Sequence, residues 1–185
     1  ANKTIDINID KVYQNDIKNI YSEILHYSSQ SQSYMDADDN QRVYELKLTA
    51  RNIIEMVKDI RELQKNLNTF TKSNNWFMMH EYNELRKELV TILRSVEKIR
   101  HSESDATDIM TQLQVLKEKA FDTEFALNKA IDTLIRDNKI DSKMAASLIN
   151  DVGFTHNIAK KLLTTAAALW VNDKLITELG DDYGD

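Results

Sequence analysis

The fold class is decided by residues 43–67, which read VYELKLTARNIIEMVKDIRELQKNL. Core-type residues recur there in alternating steps of three and four, about 3.5 on average, which keeps them on one side of a long, slightly under-wound helix. The positions of this seam are Val43, Leu46, Ala50, Ile53, Val57, Ile60, Gln64 and Leu67. Only Gln64 breaks its apolar character. The stretch therefore predicts a long helix with one side turned to a core.

The same spacing recurs in three later parts of the chain. The three further seams consist of Met78, Tyr82, Leu85, Leu89, Ile92, Val96 and Ile99; of Ile109, Leu113, Leu116, Ala120, Thr123, Leu127, Ala130 and Leu134; and of Leu148, Val152, Thr155, Ala159, Leu162, Ala166 and Leu169. The chain has no proline and only three glycines, so little interrupts these patterns. The sequence predicts an all-α fold, an elongated up-and-down bundle of about five long helices.

Polar breaks divide the chain into these five predicted helices. The first covers about residues 4–31, and the acidic cluster at 36–40 offers caps for the second. We expect the others to end near residues 70, 100, 137 and 170–174, with Ser104 as N-cap of the fourth and Asp141 as N-cap of the fifth. Residues 1–175 are predicted to form one bundle, and 176–185 an acidic, disordered tail.

Composition excludes several functional classes. The net charge of −6 argues against nucleic-acid binding, because the phosphate backbone favours clustered Lys and Arg. The chain has no cysteine, which excludes disulfides, thiolate catalysis and cysteine-based zinc sites. No segment approaches the roughly 20 apolar residues that span a bilayer, so we expect no direct bilayer insertion. Because the chain starts at Ala1 and not at an initiator Met, we expect either a fragment of a longer protein or a start left over from cloning.

The most suggestive acidic pair is Glu55 and Asp59, which are spaced i, i+4 on the second predicted helix. Two carboxylates one turn apart repel each other unless a cation lies between them. We expect the pair to face away from the seam, where it would form half of a surface site for a divalent metal or iron. The alternative is neutralisation by Lys58 and Arg61 in ordinary salt bridges on the helix surface.

A second candidate lies around Gly153, which interrupts a helical pattern at a cost of about 1 kcal/mol relative to Ala. One interpretation is that Gly153 allows close packing of two helices. The other is a functional surface that Asn150, Asp151 and His156 form together.

The spacing of residues in this sequence does not indicate a catalytic site. Glu23 and His26 have the i, i+3 spacing of ferritin-like di-iron bundles, but such sites need two copies and two further Glu, so we interpret the pair as a coincidence. The chain has no Gly-rich phosphate loop and no His-x-x-x-His pair. We therefore expect a protein that is not an enzyme.

Several stretches resemble the cytosolic C-terminal region of bacterial Na/Pi-cotransporter family proteins. The matching runs are ARNIIEMVKDIRELQKNL at 50–67, YNELR at 82–86, IDSKMAASLIND at 140–151 and NIAK at 157–160. The resemblance covers about residues 10–172. That region is similar to PhoU, a helical regulator of phosphate uptake with two three-helix halves, each of which carries an acidic i, i+4 motif that ligates metal on the bundle surface.

The resemblance carries implications for the site and for function. Glu55 and Asp59 match the motif of the first half, whereas in the second half Asp151 is followed four residues later by Thr155, so Glu55, Asp59 and Asp151 are the candidate metal ligands. The implied function is that of a non-catalytic regulatory domain of a sodium-dependent phosphate transporter, at the inner face of the cell membrane. Its expected partner is the transmembrane transport domain of the same chain, with homo-oligomers as a further expectation. The alternative is a structural or adaptor bundle that binds proteins and has no ligand.

Overall fold

The computed structural model describes residues 7–171, of which 88% are helical, without a strand in this range. The predicted all-α bundle of five long helices is therefore confirmed for this part of the chain. The predicted tail at 176–185 and the first residues of the first predicted helix lie outside the described residues.

The chain opens with a segmented N-terminal helix over residues 9–31. Its parts are α1 (Ile9–Val12), a π-helical turn (Tyr13–Ile17) and α2 (Lys18–Ser31). The backbone stays in the right-handed helical region at both junctions, so the three parts form one continuous helix. A short 3-10 turn (Gln32–Tyr34) and the extended residue Met35 then end it.

Four longer helices follow. They are α3 (Ala37–Phe70), α4 (Trp76–Arg100), α5 (Ala106–Arg136) and α6 (Ser142–Trp170). Each begins at a side chain that accepts a hydrogen bond from an amide of the first turn, the caps being Asp36, Asn75, Asp105 and Asp141. The prediction of Ser104 as a cap is wrong, because the carboxylate of Asp105 accepts the bond from the Asp108 amide at 2.9 Å.

The central element is α6, which packs against α3, α4 and α5. It runs antiparallel to α3, because Lys161 meets Asp59 whereas the later position Asn66 lies near the earlier Asp151. Two apolar clusters hold α4, α5 and α6 together. The first is centred on Ile92, Leu113, Ala159 and Leu163, and the second on Met78, Tyr82, Leu85, Ile131 and Leu148.

The predicted seams differ in how well they describe the core. Six of the seven seam positions of α4 are buried, the exception being the half-buried Leu89. None of the α3 seam positions is buried, and Leu46 is 46% exposed. The buried residues of α3 are Thr49, Ile54 and Leu63. The reason is that α3 contacts the N-terminal helix with one side and α6 with another, so its covered surface is divided between two neighbours.

Gly153 does not mark a close helix contact. A Cβ atom built at this position has no neighbouring atom within 4 Å, apart from its own chain neighbours and helix backbone. The prediction of close packing at Gly153 is therefore wrong, and α6 presents an open side there.

Candidate functional site

The predicted acidic pair lies at the junction of α3 and α6. The ammonium nitrogen Nζ of Lys161 is 2.8 Å from Oδ2 of Asp59 and 3.5 Å from Oε2 of Glu55. On the other side, Nε of Arg51 donates a 2.8 Å hydrogen bond to Oε1 of Glu55. Asp59 and Lys161 are both largely covered, so the expectation that the pair points outward, away from the packed part of the bundle, is wrong.

Two basic side chains, Arg51 and Lys161, neutralise this pair, and neither of the predicted residues, Lys58 and Arg61, pairs with it. The hydrogen bond from Arg51 is the largest of the effects that hold the pKa of Glu55 below its usual value, and Lys161 adds to it. Arg61 instead pairs with Glu62 and with Asp10 of the N-terminal helix. Lys161 thus occupies the position beside both carboxylates that a bound cation would take.

Asp151 lies in a different environment, inside the core. It is 1% exposed, and its Oδ2 accepts a 2.6 Å hydrogen bond from the hydroxyl of Tyr82. Burial raises the pKa of Asp151, while Tyr82 and the side chain of Asn66 offset part of that rise. The predicted functional surface of Asn150, Asp151 and His156 is therefore wrong, because Asp151 turns inward.

The three predicted metal ligands do not come together. Asp151 precedes Lys161 by ten residues on α6, which corresponds to about 15 Å along the helix axis. Within residues 7–171 there is no group of three or more His, Asp or Glu side chains that could hold a metal ion. At most, Glu55 and Asp59 could bind a cation as a pair, and only after Lys161 moves away.

A groove between α4 and α5 was not predicted. It has a volume of about 600 Å³. Its walls carry four carboxylates, two lysines and a histidine, namely Glu81, Glu84, Glu88, Asp122, Lys87, Lys119 and His80. Carboxylates outnumber ammonium groups, so the groove has an acidic character.

Two of these carboxylates are shielded from water, and the protein groups around them only partly replace the lost hydration. Glu81 is only 8% exposed, and burial raises its pKa. Burial also raises the pKa of Glu88, while Lys119 and a hydrogen bond with Thr123 offset part of the rise. The Oε1 atom of Glu88 is buried and has no hydrogen-bond partner. Such an atom costs free energy until a donor reaches it.

The floor of the groove adds a third ionisable group from α6. Glu88 of α4, Glu124 of α5 and His156 of α6 surround a narrow cavity beneath the groove. Nδ1 of His156 lies 3.0 Å from Oε2 of Glu124, at an angle that does not suit a hydrogen bond. Each of the three helices thus brings one proton-binding side chain to the same place.

One sequence signal pointed to this groove. Glu81, Glu84 and Glu88 are spaced i, i+3, i+7, which places them on one side of α4 next to its apolar seam. The spacing does not reveal which helix forms the opposite wall. The chemistry that this arrangement supports is the binding of a cationic side chain, through charge-assisted hydrogen bonds to carboxylates that are already partly desolvated.

Comparison with known proteins gives no match: no family model fits the chain, and neither does any curated protein or solved structure. Of the helices between residues 7 and 171, none combines the length and the apolar character needed to cross a membrane.

Proposed function

We propose that this protein is a non-catalytic regulatory domain of a sodium-dependent phosphate transporter, and that the α4–α5 groove receives a basic segment of the transport domain. The observation that carries the proposal is the buried, unpartnered Oε1 of Glu88 in the wall of an open acidic groove.

The energetic argument concerns the carboxylates. A Lys or Arg side chain that enters the groove would donate to Glu88 and would add positive charge beside Glu81 and beside Glu84, which already pairs with Lys87 at 3.3 Å. Hydrogen bonds between charged groups are roughly twice as strong as neutral ones, and they gain further where water is already excluded. The partner therefore relieves the desolvation cost of these carboxylates. This gain favours binding even where the apolar contact is small.

Charge complementarity supports a membrane protein as the partner. Cytoplasmic loops of membrane proteins carry an excess of Lys and Arg. A domain with a net charge of −6 and an acidic groove complements such loops. Together with the resemblance of residues 10–172 to the cytosolic region of Na/Pi cotransporters, this supports a location at the inner face of the cell membrane, beside the transport domain of the same chain.

The alternative is an adaptor bundle that uses the same groove for an unrelated protein. The two functions differ in what the parent gene encodes. A regulatory domain requires membrane-spanning segments in the same reading frame upstream of Ala1. A reading frame that contains the bundle alone would favour the adaptor.

Calorimetric titration tests the groove itself. The probe is an amphipathic helical peptide of about 15 residues, or about 22 Å, with Arg along one side, and its control carries Gln in place of each Arg. We expect the Arg peptide to bind, the Gln peptide to bind at least about tenfold more weakly, and the affinity to fall as salt is raised.

Substitutions of single carboxylates show where the Arg peptide binds. Glu84→Gln and Glu88→Gln should each weaken binding of the Arg peptide. Glu118→Gln is the matched control, because Glu118 lies exposed on α5 and does not line the groove. Equal affinity for the two peptides, or equal effects of all three substitutions, would rule out the groove as the binding site.

A further inference from the structure

The narrow cavity beneath the α4–α5 groove shares Glu88 with the groove itself. Its volume is about 10 Å³, which is room for one water molecule at most. A side chain of a partner therefore cannot enter it. What can change inside this cavity is the number of protons that its wall residues carry.

Three ionisable side chains line the cavity, namely Glu88 of α4, Glu124 of α5 and His156 of α6. Nδ1 of His156 is 3.0 Å from Oε2 of Glu124. Nδ1 of His156 and Oε1 of Glu88 are both buried, and neither has a hydrogen-bond partner. Two residues of the same cavity thus leave a buried polar atom unpaired, which costs free energy.

The other charged groups nearby lie outside the cavity. Lys119 of α5 lines the groove and acts on Glu88, and Lys160 follows one turn after His156 on α6. Neither lysine is a wall residue of the cavity. α3 supplies no wall residue either, since its carboxylates meet α6 at Lys161. We therefore expect the two carboxylates that share the cavity with His156 to govern its protonation.

Protonation of His156 changes what α6 can offer to these carboxylates. Thr155, the other polar wall residue of α6, donates its hydroxyl to the carbonyl oxygen of Asp151 at 2.8 Å, so it has no proton left for Glu88. A charged imidazole carries a hydrogen atom on both ring nitrogens and is attracted to nearby carboxylates. Histidine is also the side chain whose charge ordinarily changes between pH 5 and 8.

We propose that His156 is a proton-dependent counter-charge of the α4–α5 groove: once protonated, it pairs with Glu124 and Glu88 and lowers the affinity of the groove for a cationic segment. The pairing stands on the cavity alone, whereas the effect on affinity rests on the function proposed for the groove. Coupling between two binding sites is reciprocal, so entry of an Arg side chain should in turn displace a proton from His156.

Proton NMR of the chain without a partner tests the pairing. The ring signals of His156, identified by their loss in His156→Gln, report its charge as the pH is varied. In Glu124→Gln and in Glu88→Gln, the pH at which His156 takes up its proton should fall by about half a unit or more, because each variant removes a neighbouring negative charge. Glu118→Gln is the matched control, because it removes an exposed carboxylate of α5 outside the cavity and should leave this titration unchanged.

Calorimetry with the Arg peptide tests the effect on the groove. The affinity of the wild type should fall from about pH 8 to about pH 5.5, and in His156→Gln that fall should be at least about threefold smaller. His101→Gln is the matched control, since Nε2 of His101 also lies 3.0 Å from a carboxylate oxygen, that of Glu97, but this pair is exposed and lies outside the groove. We expect this variant to behave as the wild type does.

The outcomes separate this proposal from the function proposed for the groove. An unchanged titration of His156 in both carboxylate variants overturns the pairing, whether or not the peptide binds. Equal pH effects in the wild type and in His156→Gln overturn the effect on affinity, as does a pH effect that only His80→Gln removes, because His80 also lines the groove. An Arg peptide that binds at neither pH overturns the function proposed for the groove and the effect on affinity together, and the titration alone then decides the pairing.

Discussion

The hydroxyl of Tyr82 donates a 2.6 Å hydrogen bond to Oδ2 of Asp151, and this bond joins α4 to α6 inside the core. Both side chains are almost completely buried. Burial is the main cause that raises the pKa of the Tyr82 hydroxyl, and the hydrogen bond to Asp151 raises it further, so Tyr82 remains a donor at neutral pH. The bond fixes the position of α6 along α4, because a shift of either helix would leave a buried carboxylate without its donor.

Replacing Tyr82 with Phe should lower the free energy of unfolding by about 1–3 kcal/mol at neutral pH, because it leaves a buried oxygen of Asp151 without its donor. The loss should be smaller below about pH 3.9, where Asp151 is protonated in both the folded and the unfolded chain. Urea unfolding of both proteins, at neutral pH and below about pH 3.9, measures this loss. Tyr44→Phe is the control, since Tyr44 is exposed, and a loss as large there would mean that the Asp151 bond contributes nothing specific.

Replacing Glu88 with Gln should stabilise the fold at neutral pH and weaken binding in the groove. Burial raises the pKa of Glu88 in the folded chain, so its ionised form destabilises the fold. That cost is absent below the unfolded pKa of about 4.3, grows as the pH rises from there to the folded pKa, and stays constant above it. We expect an increase in Tm of about 2–4 °C, which corresponds to about 1 kcal/mol in a chain of this size.

The pH dependence separates this cause from a general effect of removing charge. The gain in Tm from Glu88→Gln should disappear in acid. Glu103→Gln removes an exposed carboxylate from the turn between α4 and α5 and should change Tm little at any pH. A gain that persists unchanged below about pH 4 would show that ionisation of Glu88 is not its source.

Replacing Lys161 with Met should test the cation hypothesis for Glu55 and Asp59. Without Lys161, the partly covered Asp59 loses its 2.8 Å partner, and we expect a loss of about 1–3 kcal/mol. Carboxylate oxygens are ligands that Mn²⁺ prefers, so Mn²⁺ should then raise the Tm of the variant and leave the wild type nearly unchanged. Equal stabilisation of both proteins by Mn²⁺ would mean that the metal binds elsewhere or beside Lys161. Adding Glu55→Gln and Asp59→Asn distinguishes these two cases, because it removes binding only in the second.

Replacing Leu63 with Ala should destabilise the chain by about 2–5 kcal/mol, because Leu63 is almost fully buried and its truncation leaves a cavity. Leu46→Ala removes the same atoms at an exposed position of the α3 seam and should cost well under half as much. Chemical unfolding at low protein concentration provides the comparison. Similar losses would mean that the seam read from the sequence describes the core of α3 better than the structure does.

The sequence was sufficient for the fold class and for the core side of α4. Met78, Tyr82 and Leu85 repeat at helical spacing and all face one continuous core. The sequence did not predict which residues of α3 are buried, because α3 has neighbours on two sides. As a result the polar Thr49 is buried while the apolar Leu46 is exposed. A periodic pattern identifies an apolar side, but the degree of burial depends on how many other helices reach that side.

The candidate site shows a different limit. The spacing of Glu55 and Asp59 correctly predicted a shared side of one helix, but their partner Lys161 is 102 residues from Asp59 in the chain. The groove depends in the same way on Glu88 and Thr123, which come from different helices. Contacts of this kind follow from the packing of helices, which local spacing does not encode.

The central position of α6 has a consequence for synthesis on the ribosome. The contacts that α3, α4 and α5 make in the bundle depend heavily on a helix that is translated after all three. Contacts between distant segments form only after the chain between them has been made, and they carry a larger entropic cost of loop closure. The nascent chain therefore exposes the apolar sides of three finished helices until residue 170 leaves the exit tunnel. A stalled or shortened translation product that lacks α6 should be a substrate for chaperones rather than a partly working domain.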